Sequence, residues 1–586
     1  MGILLKTVAL SLTLCAAAMG QEPVTKPPVA NQDLSNNPLL APRSLPVPPV
    51  PDLTRLGVTG GALPLSLNDA IRRALENNNS IEISRDNVRL ADTTLRSLQG
   101  VYDPIINITP QFSDLNLAAP NSTGTTSSGI VNQKSFTLSP SLTQQFSTGG
   151  GQYQFFYDSQ RVTSNSGITQ LSPVYFATVG VTFTQPLLRD RSIDRFRHDI
   201  RVQRKRLTQS DFDFRLSTIA VIAQVQQAYW ELVFALRDQQ NQLSNVNLAR
   251  EQLRMIEERI SVGASPGLDR AQALAQIATN ETNLLTATQY VTTVENALKQ
   301  LILRNTAAGE WSARVEPTDQ PSFDTAPVNL QDAVKAALAN RPELSRLRLE
   351  QDINGIDIKL FRNQTLPRID IQSTISSTGF AGTGVQRPLI SGDPLTTSSA
   401  FLLDQVNQLR GAQGLPAASI PLVTGPGTNN LVGGYGQALR NLWDARAVTV
   451  GVTIQFPLRN RTAEANLAGA NVQREQLSAT IAAQEQAIEA DVRNAAQAVD
   501  ITRRQVLTAR SAMESAEVQL AGEWKRFQTG LSTTFLVFQF QTQLVNARTA
   551  ELRAEANYNQ AIAGLQRATS TTLRDNNVTV VTPPLK

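Results

Sequence analysis

The sequence predicts an α+β membrane protein in which β-barrel strands continue into long coiled-coil helices, with the whole unit present twice. Three observations predict it. Segments return in order: LSLNDAIRRALENN from Leu65 reappears as VNLQDAVKAALANR from Val328, and Pro104 pairs with Pro367 at the same offset of 263. VGVTFTQPL from Val179 reappears as VGVTIQFPL from Val450, and Arg259, Gly263 and Ser265 reappear as Arg526, Gly530 and Ser532. Ordered correspondences of this kind mean a duplicated unit. Within each copy the hydrophobic period drops to two over the middle and returns to a helical stripe on both sides.

Lys6, the apolar stretch Thr7 to Met19 and the small residues Ala18 and Gly20 predict a signal peptide over 1–20, with the mature chain starting at Gln21. Cys15 raises lipidation, but the bulky Leu14 before it favours ordinary cleavage. Residues 21–62 are a Pro-rich periplasmic lead without periodicity. The first repeat spans 63–305. It opens on an amphipathic helix, Leu67 to Leu98, followed by barrel strands over 103–187, a long helix over 195–262 and a return helix over 267–303. Alternation at Ile106 and Ile108, at Phe136 and Leu138, at Tyr153, Phe155 and Tyr157, and at Val179, Val181 and Phe183 marks the strands. Interleaved Ser, Thr and Gln suit a wall with lipid on one face and a wet lumen on the other. Thr148 to Gly151 reads as a hairpin turn.

A connector over 306–327 leads to the second repeat, 328–570, with strands over 366–378 and 446–457 around a Gly- and Pro-rich surface loop, 379–445. That loop holds one short helical piece near Leu402 to Leu409. A long helix over 462–529 and a return helix over 531–569 follow, then a tail over 571–586. In the long helix Val492, Val499, Val506, Met513 and Leu520 recur every seven residues, a coiled-coil stripe. The first copy has the ladder Val225, Leu232, Val246, Leu253 and Ile260. Helices of roughly 65 residues reach about 100 Å. Each return helix is too short to match its long partner. Adding the helix that opens the copy makes up the length, so two short helices are expected to stack end to end beside one long one.

Composition excludes several classes. The net charge of +4 over 586 residues leaves no nucleic-acid footprint, and the basic run Arg195 to Arg206 reads as a solvated helix face. With one histidine, His198, no cysteine after Gly20 and no Gly-rich phosphate loop, no catalytic or metal constellation assembles, and no cofactor or enzyme activity is expected. Past the signal, no apolar run approaches the ~18 residues of a membrane helix. Any crossing of a membrane therefore falls to β-strands closed into a barrel.

From residue 63 to 570 the chain resembles the TolC family of outer-membrane efflux ducts. The resemblance rests on the repeated LxDAxxxAL openings, on Pro104 and Pro367, on QPLLRD and FPLRNR, and on the tips RISVGAS and RFQTGLS. It implies a homotrimer sharing one outer-membrane barrel and one periplasmic helical tunnel, a periplasmic adaptor protein, and an inner-membrane pump of the RND, ABC or MFS type. The implied function is a passive, gated exit duct of a tripartite efflux or type I secretion system. A non-conducting envelope-spanning coiled coil and a constitutively open porin-like channel are the competing readings.

The resemblance also assigns roles. Gly263, Ser265, Gly530 and Ser532 fall at tips where the family's adaptors dock; a glycine there also simply ends a helix. Asp269 falls near the family's entrance constriction, where three symmetry-related carboxylates would favour cations; it equally complements a helix dipole. Leu536 and Gln539 stand where the best-known members are acidic, and Phe535, Leu536 and Phe538 imply a more hydrophobic constriction. Arg259 and Arg526 either link neighbouring helices at the closed tip or are surface arginines. Pro104, Pro186, Pro367 and Pro457 fix strand-to-helix junctions. Tyr153, Phe155, Tyr157, Tyr175 and Phe176 form either an interfacial girdle or the barrel wall. The strand pair over 134–163 lacks a counterpart in the second copy, and either widens the barrel beyond the family's usual four strands per protomer or extends it above the membrane.

Overall fold

A computed structural model describes residues 55, 57–59, 61–118, 130–166, 169, 171–324, 327–384, 394–418 and 430–579, with the backbone alone at 394–401. The expected signal peptide with Cys15, the lead up to residue 54, parts of the expected surface loop and the end of the tail lie outside these residues.

The chain begins with β1 (Ala62–Leu65), which pairs in parallel with β6 (Arg314–Pro317). Between them come α1 (Leu67–Asn77), α2 (Asn79–Gln99), β2 (Ile105–Ala118), β3 (Ile130–Gln145), β4 (Gln152–Ser164) and β5 (Leu171–Pro186). The long α3 (Arg195–Ser261) and α4 (Gly267–Ile302) close this half. The second half has α5 (Leu330–Asn340), α6 (Pro342–Gln364), β7 (Arg368–Gly384), α7 (Pro394–Ala412) and α8 (Tyr435–Arg440). It ends with β8 (Ala445–Gln455), the long α9 (Arg461–Gln528), α10 (Thr534–Thr569) and α11 (Thr572–Asp575).

Three sequence expectations change. The single opening helix over Leu67 to Leu98 is two helices. Asn78 turns extended and its side chain accepts from the Ser80 N–H, while its amide donates to Leu301 O at 3.0 Å, so one residue ends α1, caps α2 and ties both to α4. In the second copy Arg341 and Pro342 make the same break, because proline suits the first turn of a helix and disfavours a helical residue before it. Second, β7 runs to Gly384, into the segment expected to be loop, and the helical piece near Leu402 to Leu409 extends over the whole of α7. Third, a stretch of α3 does reach the length and hydropathy of a membrane helix. Two thirds of that stretch is buried inside the protein, so its apolarity serves packing.

That packing forms the main core. Ile222, Val225, Tyr229 and Leu232 of α3 meet Ala70, Ile71 and Ala74 of α1, Val291, Leu298 and Ile302 of α4, and Val315 of β6. Tyr229 is fully buried and its hydroxyl, with one proton to give, lies within hydrogen-bond distance of Leu65 O at 3.1 Å and Asp319 Oδ2 at 2.9 Å. Burial pushes its ionisation well above the usual phenol range. Glu295 and Lys299 are buried together, 2.8 Å apart. Lys299 also donates to Trp311 O and Ala313 O, and Glu295 accepts from Arg55 and from the Val315 N–H, so these buried charges are paired and hydrogen-bonded.

The two halves are joined at Glu231 of α3. It accepts from Arg553 of α10 at 2.6 Å, from Gln560 at 2.8 Å and from Tyr290 of α4. Burial raises the carboxyl's pKa, but these hydrogen bonds outweigh it and hold Glu231 below its ordinary value. The Arg553 guanidinium also sits 3.7 Å above the centre of the Phe234 ring.

Candidate functional site

The strands form one six-stranded antiparallel sheet in the order β2-β3-β4-β5-β7-β8. Because strand side chains alternate, successive rows across the sheet lie on opposite faces. One row is Ile106, Leu142, Phe155, Val181, Ile375 and Val448, and the next is Ile105, Thr143, Gln154, Thr182, Thr374 and Thr449. The first row is apolar across all six strands, while the same face carries Asp114, Lys134 and Arg161 further from the helices. The second carries Thr, Ser and Gln, with Thr182 and Thr374 hydrogen-bonded at 3.1 Å and Thr178 and Thr378 at 3.0 Å. The apolar row lines an open hollow of about 540 Å³, and Ile106 and Val448 remain 69% exposed in the single chain.

Tyr153, Phe155, Tyr157 and Tyr175 share the apolar face, whereas Phe176 lies on the polar face beside Phe380. Phe146 packs on Tyr153 and Phe183 with ring centres 5.3 and 5.9 Å apart, building an aromatic cluster at the end of the sheet nearest the helices.

The helices beneath repeat the order of the strands. α2 leads into β2, β5 into α3, α6 into β7 and β8 into α9. α3 packs between α2 with α4 on one side and α6 with α10 on the other, and α9 lies beyond α6 and α10. Both layers therefore end on the same two sides, β2 above α2 and β8 above α9. Exposed apolar residues gather there: Ile83 and Leu90 on α2, Leu507 and Val518 on α9, Ile108 and Phe112 on β2, and Val450 and Ile454 on β8.

Each junction proline stands where a strand meets a helix. Pro104 and Pro367 precede β2 and β7, Pro186 ends β5 and Pro457 follows β8. The junction before α3 is held by Arg197, which pairs with Asp194 at 2.7 Å and donates to Arg191 O and Asp190 O. A cavity of about 760 Å³ lies here, lined by Arg189, Asp190, Arg195 and Asp370 among others. His198 sits at its edge between Asp199 at 2.9 Å and Asp357 at 2.6 Å. No group of three or more His, Cys, Asp or Glu is placed to hold a metal among the described residues.

At the far end of the helices the two tips have the same backbone. Gly263 (φ +74°) and Gly530 (φ +78°) adopt the left-handed conformation that ends a helix. Ala264 N donates to Arg259 O at 2.7 Å and Leu531 N to Arg526 O at 2.9 Å. Ser265 is half-buried, and Ser532 donates to Glu523, a buried carboxylate near the end of α9. Arg526 pairs with that same Glu523 at 3.3 Å, within its own helix. Arg259 instead crosses from α3 to α9, its guanidinium 4.5 Å from the centre of the Phe527 ring.

Asp269 lies in the first turn of α4, and its carboxylate accepts from Thr534 in the first turn of α10 at 3.4 Å. Phe535, Leu536 and Gln539 are exposed. Phe538 is buried against Ala273, Leu274 and Ile277, so it joins the two tips instead of lining an opening. Sequence reasoning missed Glu523, Phe527 and Thr534. Only the spacing of Glu523 and Arg526 on one helix face carried a local signal.

Residues 153–302 match the family model described as outer membrane efflux protein. No curated protein matches the chain. Among solved structures, a membrane protein from Pseudomonas aeruginosa aligns with a TM-score of 0.57 at 17% identity, covering 86% of this chain and 90% of that one. The Campylobacter jejuni CmeC outer membrane channel aligns at 0.58 and 15% identity, over 88% and 90%. The Neisseria gonorrhoeae MtrE outer membrane channel, in its open state, aligns at 0.54 and 14%, over 86% and 88%. At these identities the structures establish the fold. Residues 153–302 thus resemble an outer membrane efflux protein, and the chain as a whole shares its fold with these outer-membrane channels.

Proposed function

We propose that the protein is the outer-membrane exit duct of a tripartite efflux or type I secretion system, acting as a homotrimer without bond making. The observation that carries this reading is the coincidence of open sides in both layers. A sheet whose edges are β2 and β8, above a helical wall whose edges are α2 with α4 and α9, is completed by further copies side by side. The apolar face then meets outer-membrane lipid, and the polar face encloses a lumen continuous with a helical tunnel.

The tips are the entrance. Gly263, Ser265, Gly530 and Ser532 present the surface for a periplasmic adaptor protein, and an inner-membrane pump of the RND, ABC or MFS type supplies energy. Three copies of Asp269 would bring carboxylates toward one axis and favour cations. Phe535, Leu536 and Gln539, exposed in the single chain, complete the constriction. The contacts of Arg259 with Phe527 and of Asp269 with Thr534 hold the two tips together, and adaptor binding shifts the population toward separated tips.

Single-channel recording in planar bilayers tests this, comparing wild type with Asp269→Asn. Small, mostly closed conductance with weaker cation preference in the variant is expected. A folded trimer that conducts nothing would identify a structural bridge between outer membrane and cell wall. Large constitutive current would identify a porin-like channel.

A further inference from the structure

Resting on the trimeric reading above, we propose that each protomer gives six strands to the wall, so that the assembled barrel has eighteen strands and a lumen wide enough for bulky cargo. The resemblance implies four strands per protomer, and the additional pair is the hairpin of β3 and β4. Three features place that hairpin in the wall.

It lies inside the sheet and not upon it: β3 pairs with β2 from Ile130 to Thr143, β4 pairs with β5 from Gln152 to Val162, and β2 has no direct pairing with β5. Removing the hairpin from the wall would therefore leave two strand edges without partners. It also carries the same two faces as its neighbours. Pro140, Leu142 and Phe155 continue the apolar side and Ser141, Thr143 and Gln154 the polar side, so the pair suits lipid and water as the other four strands do.

Finally, the hairpin reaches the rim nearest the helices, and its turn is fitted there. Gln185 Nε2 donates to Gly149 O at 2.8 Å, and Gln144 Nε2 donates to Tyr102 O at 3.0 Å. Gly150 (φ +69°) lies so close to the start of α3 that a Cβ would stand 2.6 Å from Asp190 O and 2.8 Å from Arg197 Nη2. An extension above the membrane would have no reason to fit a glycine turn against the helical end.

Six is an even number, so β8 of one copy runs antiparallel to β2 of the next, as all five pairings within the chain do. Barrel diameter grows roughly linearly with strand number, so eighteen strands give a lumen about half again as wide as twelve, in the range of barrels that hold an aqueous channel.

Electron cryo-microscopy of the wild-type protein in lipid nanodiscs counts the strands. A three-fold assembly with eighteen strands and the row of Ile106 facing lipid is the expected result. A three-fold assembly whose wall has twelve strands, with β3 and β4 set aside, would overturn the inference and leave the duct reading standing. Absence of three-fold assembly would overturn both. Sizing the mouth with neutral polymers in the same bilayers gives a second measure. The exclusion diameter should be about half again that of a variant lacking residues 130–166, in which β2 must pair with β5. Equal diameters for the two would contradict the wider barrel.

Discussion

The helices α3 and α9 are near twins in length, 67 and 68 residues, yet 24 residues of α3 are buried in the single chain and only 9 of α9. Composition does not account for this, since α9 has its own seven-residue stripe, with Val492 buried against α5, α6 and α10 and Val499 and Val506 buried against α10. What differs is position in the wall. α3 has helices on both sides, and α9 has them on one. A long helix packed on one side only is what the proposed neighbouring copy would complete, and it bears on that proposal more directly than any single residue does.

Four variants test this difference in packing and the contacts around it, in order of decreasing effect. Leu232→Ala in the core of α3 should cost about 2–5 kcal/mol and remove much of the folded protein, because a filled, water-free site collapses poorly. Urea unfolding in detergent measures it; a cost below about 1 kcal/mol would mean that α3 is not the interior helix described. On α9 the double variant Leu507→Asp with Val518→Asp should leave the circular dichroism unchanged and weaken association at least tenfold by native mass spectrometry. If the trimer survives intact, the exposed side of α9 is not an interface.

Glu231→Gln tests the weld between the halves and should cost about 1–3 kcal/mol at neutral pH, less to the extent that water screens the partly exposed pair. Its sign with pH is fixed. The folded carboxyl titrates below its unfolded value, so its stabilisation is fully present above the unfolded pKa and is lost as pH falls through the folded one. The gap in melting temperature between wild type and variant should stay constant from pH 8 to about 5 and close below about 4. A gap that grows on acidification would refute the assignment. Gly263→Ala should act least. A Cβ there has nothing within 4 Å, so only the left-handed backbone is penalised, at about 1 kcal/mol. Overall melting should shift by a degree or two, while adaptor binding, measured by biolayer interferometry, weakens several-fold.

Periodicity made the helices and strands legible. Val492, Val499 and Val506 are a sequence stripe because one helix face is packed, and Ile106 and Ile108 alternate with polar residues because a strand has two faces. Breaks at single residues were less legible. Asn78 interrupts an otherwise continuous amphipathic pattern because its side chain finds both an N-cap partner and a carbonyl of α4, and no local rule favours that over continuation. The tip contacts were legible only as far as glycine chemistry goes. Arg259 meets Phe527 across some 270 positions, and Glu523 is buried by Ser532 and Arg526, which a linear pattern does not reveal. The hairpin of β3 and β4 could be read as strands from Phe136, Leu138, Tyr153 and Phe155, but its place between β2 and β5 depends on pairing.

The main core gathers around the middle of α3, near Ile222 to Leu232, and beyond it the apolar packing thins to the small cluster of Ala249, Leu253, Ala273 and Ile277. Mechanically this is a clamped beam whose far end is held by a few contacts, Arg259 on Phe527 and Asp269 with Thr534 among them. The tip lies about 46 Å past the clamp at 1.5 Å per residue. By the geometry of that lever a tilt of about 10° at the clamp carries Gly263 sideways by roughly 8 Å, more than the width of a water molecule.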